Sequence, residues 1–529
     1  MDDRYDAIVI GSGFGGAITG CRLAEQGYKV LILERGRRWE VADYPREPGD
    51  AWTWDQYHPA ERNGWIDFRV FPRMAVVQGA GLGGGSLIYA NIHVEATPDL
   101  FERGWPPEIT YEELKPYYRA VGDMLNLQRV PEQQWPVRTK LMKEAAEETG
   151  YGDRFQQLDL AVNFDRDWSY ELDDPHNVEH AKMAPNAQGQ EQGTCVHLGN
   201  CDIGCEVKAR NTLDLNYIPQ AEQHGAQVRP LHLVRSIEPE SGEFRVHYDR
   251  IEGGQQQPGS AAGRIVIVAA GSLGSSELLL RCRDQHRTLP KLSDFLGRNW
   301  SSNGDFLTPA FHSDRDVSPT RGPTITSAID FLDGSVDGER FFIEDGGFPD
   351  VLGNWLEETA KSWSWRLPRR ALIQSVQHML RQRDPLKHTM PWFAQGRDAA
   401  DGRLVLRRRW WLVGPRRLSL QWEIARSEPT IDAIVAMHEK LAKATGGQPF
   451  VPPTWTVAKY LVTPHPLGGC NMGTSAVNGV VDHRGEVFGY RNLYVADGAI
   501  IPEAIGANPS KTIAALAERI AKLIAEEGR

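Results

Sequence analysis

Residues 6–16 read DAIVIGSGFGG. Residues 7–10 form a short, wholly apolar strand, and Gly11, Gly13 and Gly16 follow at the spacing G-x-G-x-x-G. Residues 17–26 then carry a helix that stops at Gly27. The glycines serve three physical ends, namely a tight turn, close approach of bare backbone to a pyrophosphate, and close packing of helix on strand. Free N–H groups at the helix start, with its dipole, favour an anion there. A second strand, residues 29–33, delivers Glu34 to where a carboxylate accepts hydrogen bonds from ribose hydroxyls. A glycine pattern alone often marks only a turn. Strand, loop, helix, strand and acid in this order predict a bound dinucleotide.

The 529 residues suffice for two to four domain-sized units with large cores. With 41% hydrophobic and 24% charged residues, the composition is that of an ordinary globular protein. No apolar run is long enough to span a membrane. The first strand starts close to Met1, which leaves no room for a signal peptide, so a cytoplasmic enzyme is expected. Six cysteines are too few for a disulfide framework. A net charge of −11 argues against a nucleic-acid partner. That charge is uneven: residues 361–420 carry fourteen Lys or Arg against three Asp, together with five tryptophans.

Outward from the first motif, residues 39–65 are rich in Trp and Pro and read as a loop or lid over the cofactor. Residues 78–86, QGAGLGGGS, are a second glycine-rich loop between apolar strands, suited to a chain passing close to a bulky planar or phosphorylated ligand. Thr110 and Glu113 form a capping box opening a helix. Residues 129–190 read as irregular. Residues 228–238 and 243–247 alternate like strands, a polar loop is expected over 253–263, and 264–270 form an apolar strand. This last strand runs into Gly271 and a helix, repeating the N-terminal logic on the same sheet. Residues 306–454 have a different texture and read as a substrate domain inserted into the cofactor domain. At the C-terminus residues 492–497 form a strand, and Pro509 opens an amphipathic helix.

These motifs together resemble one family. IVIGSGFGG, GAGLGGGSL, AAGSLGSSELLLR, HPLGGC and NLYVADGAIIPEAIGANPSKTIAALAERI are similar to the glucose–methanol–choline family of FAD oxidoreductases, most of all to its cholesterol oxidase branch. The resemblance implies an α/β fold: a discontinuous Rossmann-like FAD-binding domain (1–128, 191–305, 455–529) with an inserted α+β substrate-binding domain (129–190, 306–454). It implies FAD and the oxidation of an alcohol to a carbonyl. Gly11, Gly13, Gly16 and Glu34 would hold the ADP half, with Val234 near the adenine. Gly79, Gly83, Gly84 and Ser86 would lie along the ribityl chain and isoalloxazine, and Asp497 and Gly498 by the pyrophosphate and ribityl. Phe14, Gly15, Arg35, Gly85, Asn91, Gly271 and Pro509 complete the expected cofactor surround. His465 and Asn508 match the active-site pair, and Glu344, in RFFIEDGGFP, aligns with an acid that the cholesterol oxidases use.

The residues themselves carry a compatible chemistry. Oxidation of an alcohol by a flavin needs the hydroxyl proton held or removed while hydride passes to N5. His465, rigidly framed in PHPLGG, is the natural group, although a lone histidine is commonly a satisfied core residue. Asn508, before Pro509, offers a donor to the substrate oxygen or simply caps the helix. Glu344 is a proton carrier if its pocket is apolar, or part of a surface turn. Tyr89, beside the second glycine loop, departs from the small residues of the cholesterol oxidases. His93 follows that loop.

Cys195, Cys201 and Cys205, with His197 between them, leave three readings open: a packed reduced loop, a metal site, or an iron–sulfur relay. Residues 365–383 place Leu372, Val376, Met379 and Leu380 on one helical face flanked by arginines. That face suits peripheral contact with an anionic membrane or an ordinary solvated helix. The expected function is FAD-dependent oxidation of a bulky, lipid-like secondary alcohol such as a 3-hydroxysteroid, with oxygen or another acceptor taking the electrons. The alternatives are a dehydrogenase passing electrons through a cluster, an FAD-containing cyanohydrin lyase, and a sterol-binding protein with an inert flavin.

Overall fold

Five parallel strands form the centre of the first sheet. Arg4–Ile10 lies between Val30–Leu33 and the far half of the long strand Gln255–Val268; Gln227–Arg229 and Leu493–Val495 flank them. The computed structural model describes residues 4–47, 49–351, 386–408 and 416–527. Val30–Leu33 is buried along its whole length, as expected of a parallel strand covered on both faces. The helix Phe14–Glu25 packs against the C-terminal helix Ser510–Glu527.

The first helix starts three residues before its apolar periodicity, because the glycines themselves are wound into its first turn. A Cβ on Gly15 would sit 1.9 Å from the carbonyl oxygen of Ala496, and one on Gly16 2.0 Å from that of Gly11. Bare backbone thus brings helix, first strand and last strand into contact at the carboxyl end of the sheet, where such folds bind ligands.

Two expectations need correction. The polar loop over 253–263 is a strand: Gly253 and Gly254, both at positive φ, make a tight turn, and Gln255–Val268 pairs with Glu243–Glu252. Its first residues are polar because they are solvent-exposed, and the cross-strand ladder overrides composition. The stretch 129–190 is not uniformly irregular either, since Val137–Glu148 is a helix burying Leu141, Met142, Ala145 and Ala146 on one side.

The second sheet is antiparallel, in the order Gln448–Pro449, Phe306–Phe311, Thr389–Gly396, Glu339–Asp345, Ser327–Val336, Phe155–Gln157. The helix Glu428–Ala444 packs on its central strands, and Val137–Glu148 packs beside it. A small sheet holding Ile66–Phe71, Met74–Gly79 and Leu461–Thr463 bears His465 at its edge. No described helix is long and apolar enough to cross a membrane. The amphipathic helix expected over 365–383 lies outside the described residues.

Candidate active site

A cavity of about 1250 Å³ lies between the two main sheets, more than a drug-sized ligand requires. Its wall contains Gly11, Gly13, Phe14, Gly15, Glu34, Arg35, Gly79, Gly84, Gly85, Val234, Gly271, Asp497, Gly498, Asn508, Pro509 and His465. Gly16, Gly83, Ser86 and Asn91 stand behind the wall. Ser86 Oγ donates to the Gly83 carbonyl (2.8 Å) and accepts from Leu213 N (3.1 Å), so it shapes the loop. Asn91 Oδ1 accepts from Arg210 Nε at 2.7 Å. Arg210 also donates to the carbonyls of Ser86, Leu87 and Tyr89 and so clamps the whole second glycine loop, a role its sequence context does not signal.

At the nucleotide end, Glu34 Oε2 accepts from Ser12 N and Oγ at 3.1 and 2.6 Å, and Oε1 from Gly36 N at 2.8 Å. The carboxylate is thereby aimed along the cavity edge. Arg35 pairs with Asp67 (2.7 Å) and lies over the Trp54 ring. Trp52 and Trp54, from the stretch expected to be a loop or lid, also line the cavity. Two glycines discriminate a ligand cradle from mere packing. Among the described residues, a Cβ on Gly13 would meet nothing closer than 3.9 Å, and one on Gly85 nothing within 4 Å. Packing within the protein would tolerate a methyl at both positions, and both line the cavity; their bareness suits a dinucleotide lying against them. Asp497 accepts from Gly271 N, Ser275 Oγ and Ala499 N. It ties the second strand–turn–helix unit to the last strand, and burial pushes it up to about 6.

The other end gathers the polar groups expected to react. His465 Nδ1 is 2.8 Å from Asp305 Oδ1, which leaves Nε2 without a partner among the described residues. Asp305 is fully buried; its desolvation raises its pKa, while the His465 imidazole draws it back. Its other oxygen bonds Thr463 Oγ1, which also accepts from His465 N at 2.9 Å. Two residues before Asp305, Asn303 Oδ1 accepts from Ile505 N (3.0 Å) and Gly506 N (2.9 Å), and its Nδ2 donates to Ala507 O. One short segment, 303–305, therefore braces both the imidazole and the loop that carries Asn508. Neither Asp305 nor Asn303 had a motif to reveal it; only the need of a histidine for an orienting carboxylate pointed that way.

Glu344 does not reach the cavity wall. It is wholly buried at the end of Glu339–Asp345, not in a surface turn, and Gln395 Nε2 donates to its Oε2 at 2.8 Å. Burial raises it to about 8, with Gln395 and the adjacent Asn508 carboxamide pulling the other way. Glu344 Oε1 and Asn508 Oδ1 are both buried with no hydrogen-bond partner among the described residues. Tyr89 is in the wall, in edge contact with Phe14. His93 lies behind it with neither ring nitrogen paired among the described residues, and its pKa is lowered to about 3 by burial. Cys195, Cys201 and Cys205 are free and lie behind the wall. Among the described residues no three His, Cys, Asp or Glu side chains are arranged to hold a metal.

Comparison with known proteins shows the family and the fold. A GMC oxidoreductase model matches residues 420–517, and a model of an NAD(P)-binding Rossmann-like domain matches residues 9–44. A cholesterol oxidase of Acinetobacter baumannii is 30% identical, over 97% of this chain and 93% of that protein. A cholesterol oxidase of Mycobacterium tuberculosis is also 30% identical, over 100% of this chain and 92% of its own. Among solved structures, an FAD-dependent oxidoreductase from Chaetomium thermophilum superposes with a TM-score of 0.63 at 15% identity, covering 99% of this chain and 100% of the other.

Proposed function

The chain belongs to the GMC oxidoreductase family, and from that premise we propose that it oxidises a bulky apolar secondary alcohol, of the 3-hydroxysteroid kind, to a ketone. At the coarser level it is an FAD-dependent alcohol oxidoreductase. Gly11, Gly13 and Glu34 would hold the ADP half of FAD, Val234 the adenine, and Gly79, Gly84, Gly85, Asp497 and Gly498 the remainder. The FAD domain would comprise 1–128, 191–305 and 455–529, and the substrate domain 129–190 and 306–454. When bound, FAD supplies an acceptor for the carbinol hydrogen and its electron pair.

The protein's share is proton handling and positioning. His465, with Nδ1 oriented by Asp305, presents Nε2 to the hydroxyl as its base. Asn508 holds the same oxygen. Its side chain would be held from behind by the buried Glu344 carboxyl, which its carboxamide adjoins. Pre-oriented donors of this kind act where charge develops and need no rearrangement.

The observation that carries this reading is the meeting of His465, Asn508 and the glycine loops in one cavity wall. The steroid assignment is supported by apolar wall residues such as Ile203, Ile325, Phe348 and Phe393, and by the two cholesterol oxidases matched end to end. The test is anaerobic mixing of the holoenzyme with sterols, long-chain alcohols and sugars, followed by readmission of air. Sterols are expected to bleach the flavin fastest; bleaching by sugars alone, or by none of the panel, contradicts the proposal.

A further inference from the structure

Beside Ile203 and Ile325 in the cavity wall stand two polar residues that the reaction does not use: Asp202 and Thr324. Thr324 Oγ1 donates to Asp202 Oδ1 at 3.2 Å. Asp202 Oδ2 has no hydrogen-bond partner among the described residues. The Asp202 residue is half-buried and lies in the cavity wall.

The pair is fixed in place. Trp65 Nε1 donates to the Asp202 carbonyl at 3.1 Å. The wholly buried Arg138 donates to the carbonyls of Thr324, Pro323 and Arg321 and holds that loop from behind. Burial pushes the Asp202 carboxyl up to about 6, with Arg210 and Arg138 among the groups pulling it back. Two arginines thus already favour its ionised form. A neutral donor, not a further cation, is the complement.

We propose that Asp202 and Thr324 form a subsite for a second hydroxyl on the substrate, distinct from the hydroxyl that His465 and Asn508 would handle. The inference rests on the reading of the cavity as the site of a bulky apolar alcohol, and narrows it to alcohols with a second hydroxyl. The physical reason is the cost of the alternative. A wholly apolar body filling the cavity would seal Oδ2 against hydrocarbon with no replacement for water. A site built to bond a hydroxyl rejects the analogue lacking it more strongly than an apolar pocket rejects an extra methylene.

The test uses the FAD-loaded enzyme and three steroids that share the 3-hydroxyl and carry hydroxyl, ketone or hydrogen at the distal end. Two quantities are read: kcat/KM, and binding of the 3-keto products from perturbation of the visible flavin band. The distal hydroxyl is expected to win by roughly tenfold or more in both. Asp202→Leu removes the acceptor and should bring the three within about threefold of one another. Asp202→Asn keeps the shape and should give an intermediate preference, with the flavin spectrum unchanged. Equal rates for all three in the wild type, or a preference that survives Asp202→Leu, overturns the subsite while alcohol oxidation stands. Loss of flavin in both variants assigns Asp202 to the cofactor and overturns the subsite too. If none of the three steroids bleaches the flavin without oxygen, the proposed function falls, and the subsite with it.

Discussion

At the scale of single residues, the arrangement depends on proton positions. Asp305→Asn should keep the fold but lose the carboxylate that fixes the His465 tautomer. We expect kcat to fall about 10³-fold with KM nearly unchanged, measured by steady-state oxidation. Glu344 gives a pH signature. Its carboxyl is raised from 4.5 to about 8 in the fold. Between those values the folded protein holds a proton that the unfolded chain has released. Stability from this group is complete below 4.5, falls by about 1.4 kcal/mol per pH unit as pH rises, and stops falling above 8. Denaturant titration across that window should show the slope in the wild type and its loss in Glu344→Gln; identical slopes would refute a neutral buried acid. His465 and Asn508 are legible in the sequence because rigid local frames, PHPLGG and ANPS, advertise them. Asp305 and Thr463 are not, because a hydrogen bond between different elements leaves no local pattern. Glu344 reads equally well as a surface turn until its burial is known.

At the scale of elements, the glycines of the first motif separate into two kinds. Gly15→Ala forces a methyl into the Ala496 carbonyl and should cost about 3 kcal/mol of stability, read by denaturant unfolding. Gly13→Ala has room within the protein and should leave the apoprotein's melting unchanged. It should weaken FAD binding by about ten- to hundredfold in a flavin titration, because the methyl enters the cofactor's space. Equal damage to fold and cofactor in both variants would contradict the distinction. The motif is readable because turn, anion site and packing all demand glycine locally. The strand Gln255–Val268 and the helix Val137–Glu148 were harder. The hairpin's polar half follows exposure on a paired strand, and the helix's buried side includes the charged Arg138, which interrupts the apolar stripe.

At the scale of the whole molecule, two sheets of different kinds meet at one cavity. The parallel sheet provides glycine loops at its carboxyl ends, and the antiparallel sheet provides Phe393 in the wall, with Glu344 and Gln395 paired behind it. The alternation of strand–turn–helix units made the first sheet legible. The second sheet's order was not, because its strands come from stretches as far apart as residues 155 and 448, and pairing at such separations is decided only in the folded chain. The central claim is that this meeting point binds FAD and an apolar secondary alcohol between His465 and Asn508. Anaerobic stopped-flow reduction of the holoenzyme by a 3-hydroxysteroid, run beside Asn508→Ala, tests it most directly. The wild type should bleach in a single substrate-dependent phase, and the variant, with equal flavin content, at least about 10²-fold more slowly. A variant that bleaches as fast as the wild type, or a wild type that does not bleach, contradicts the account.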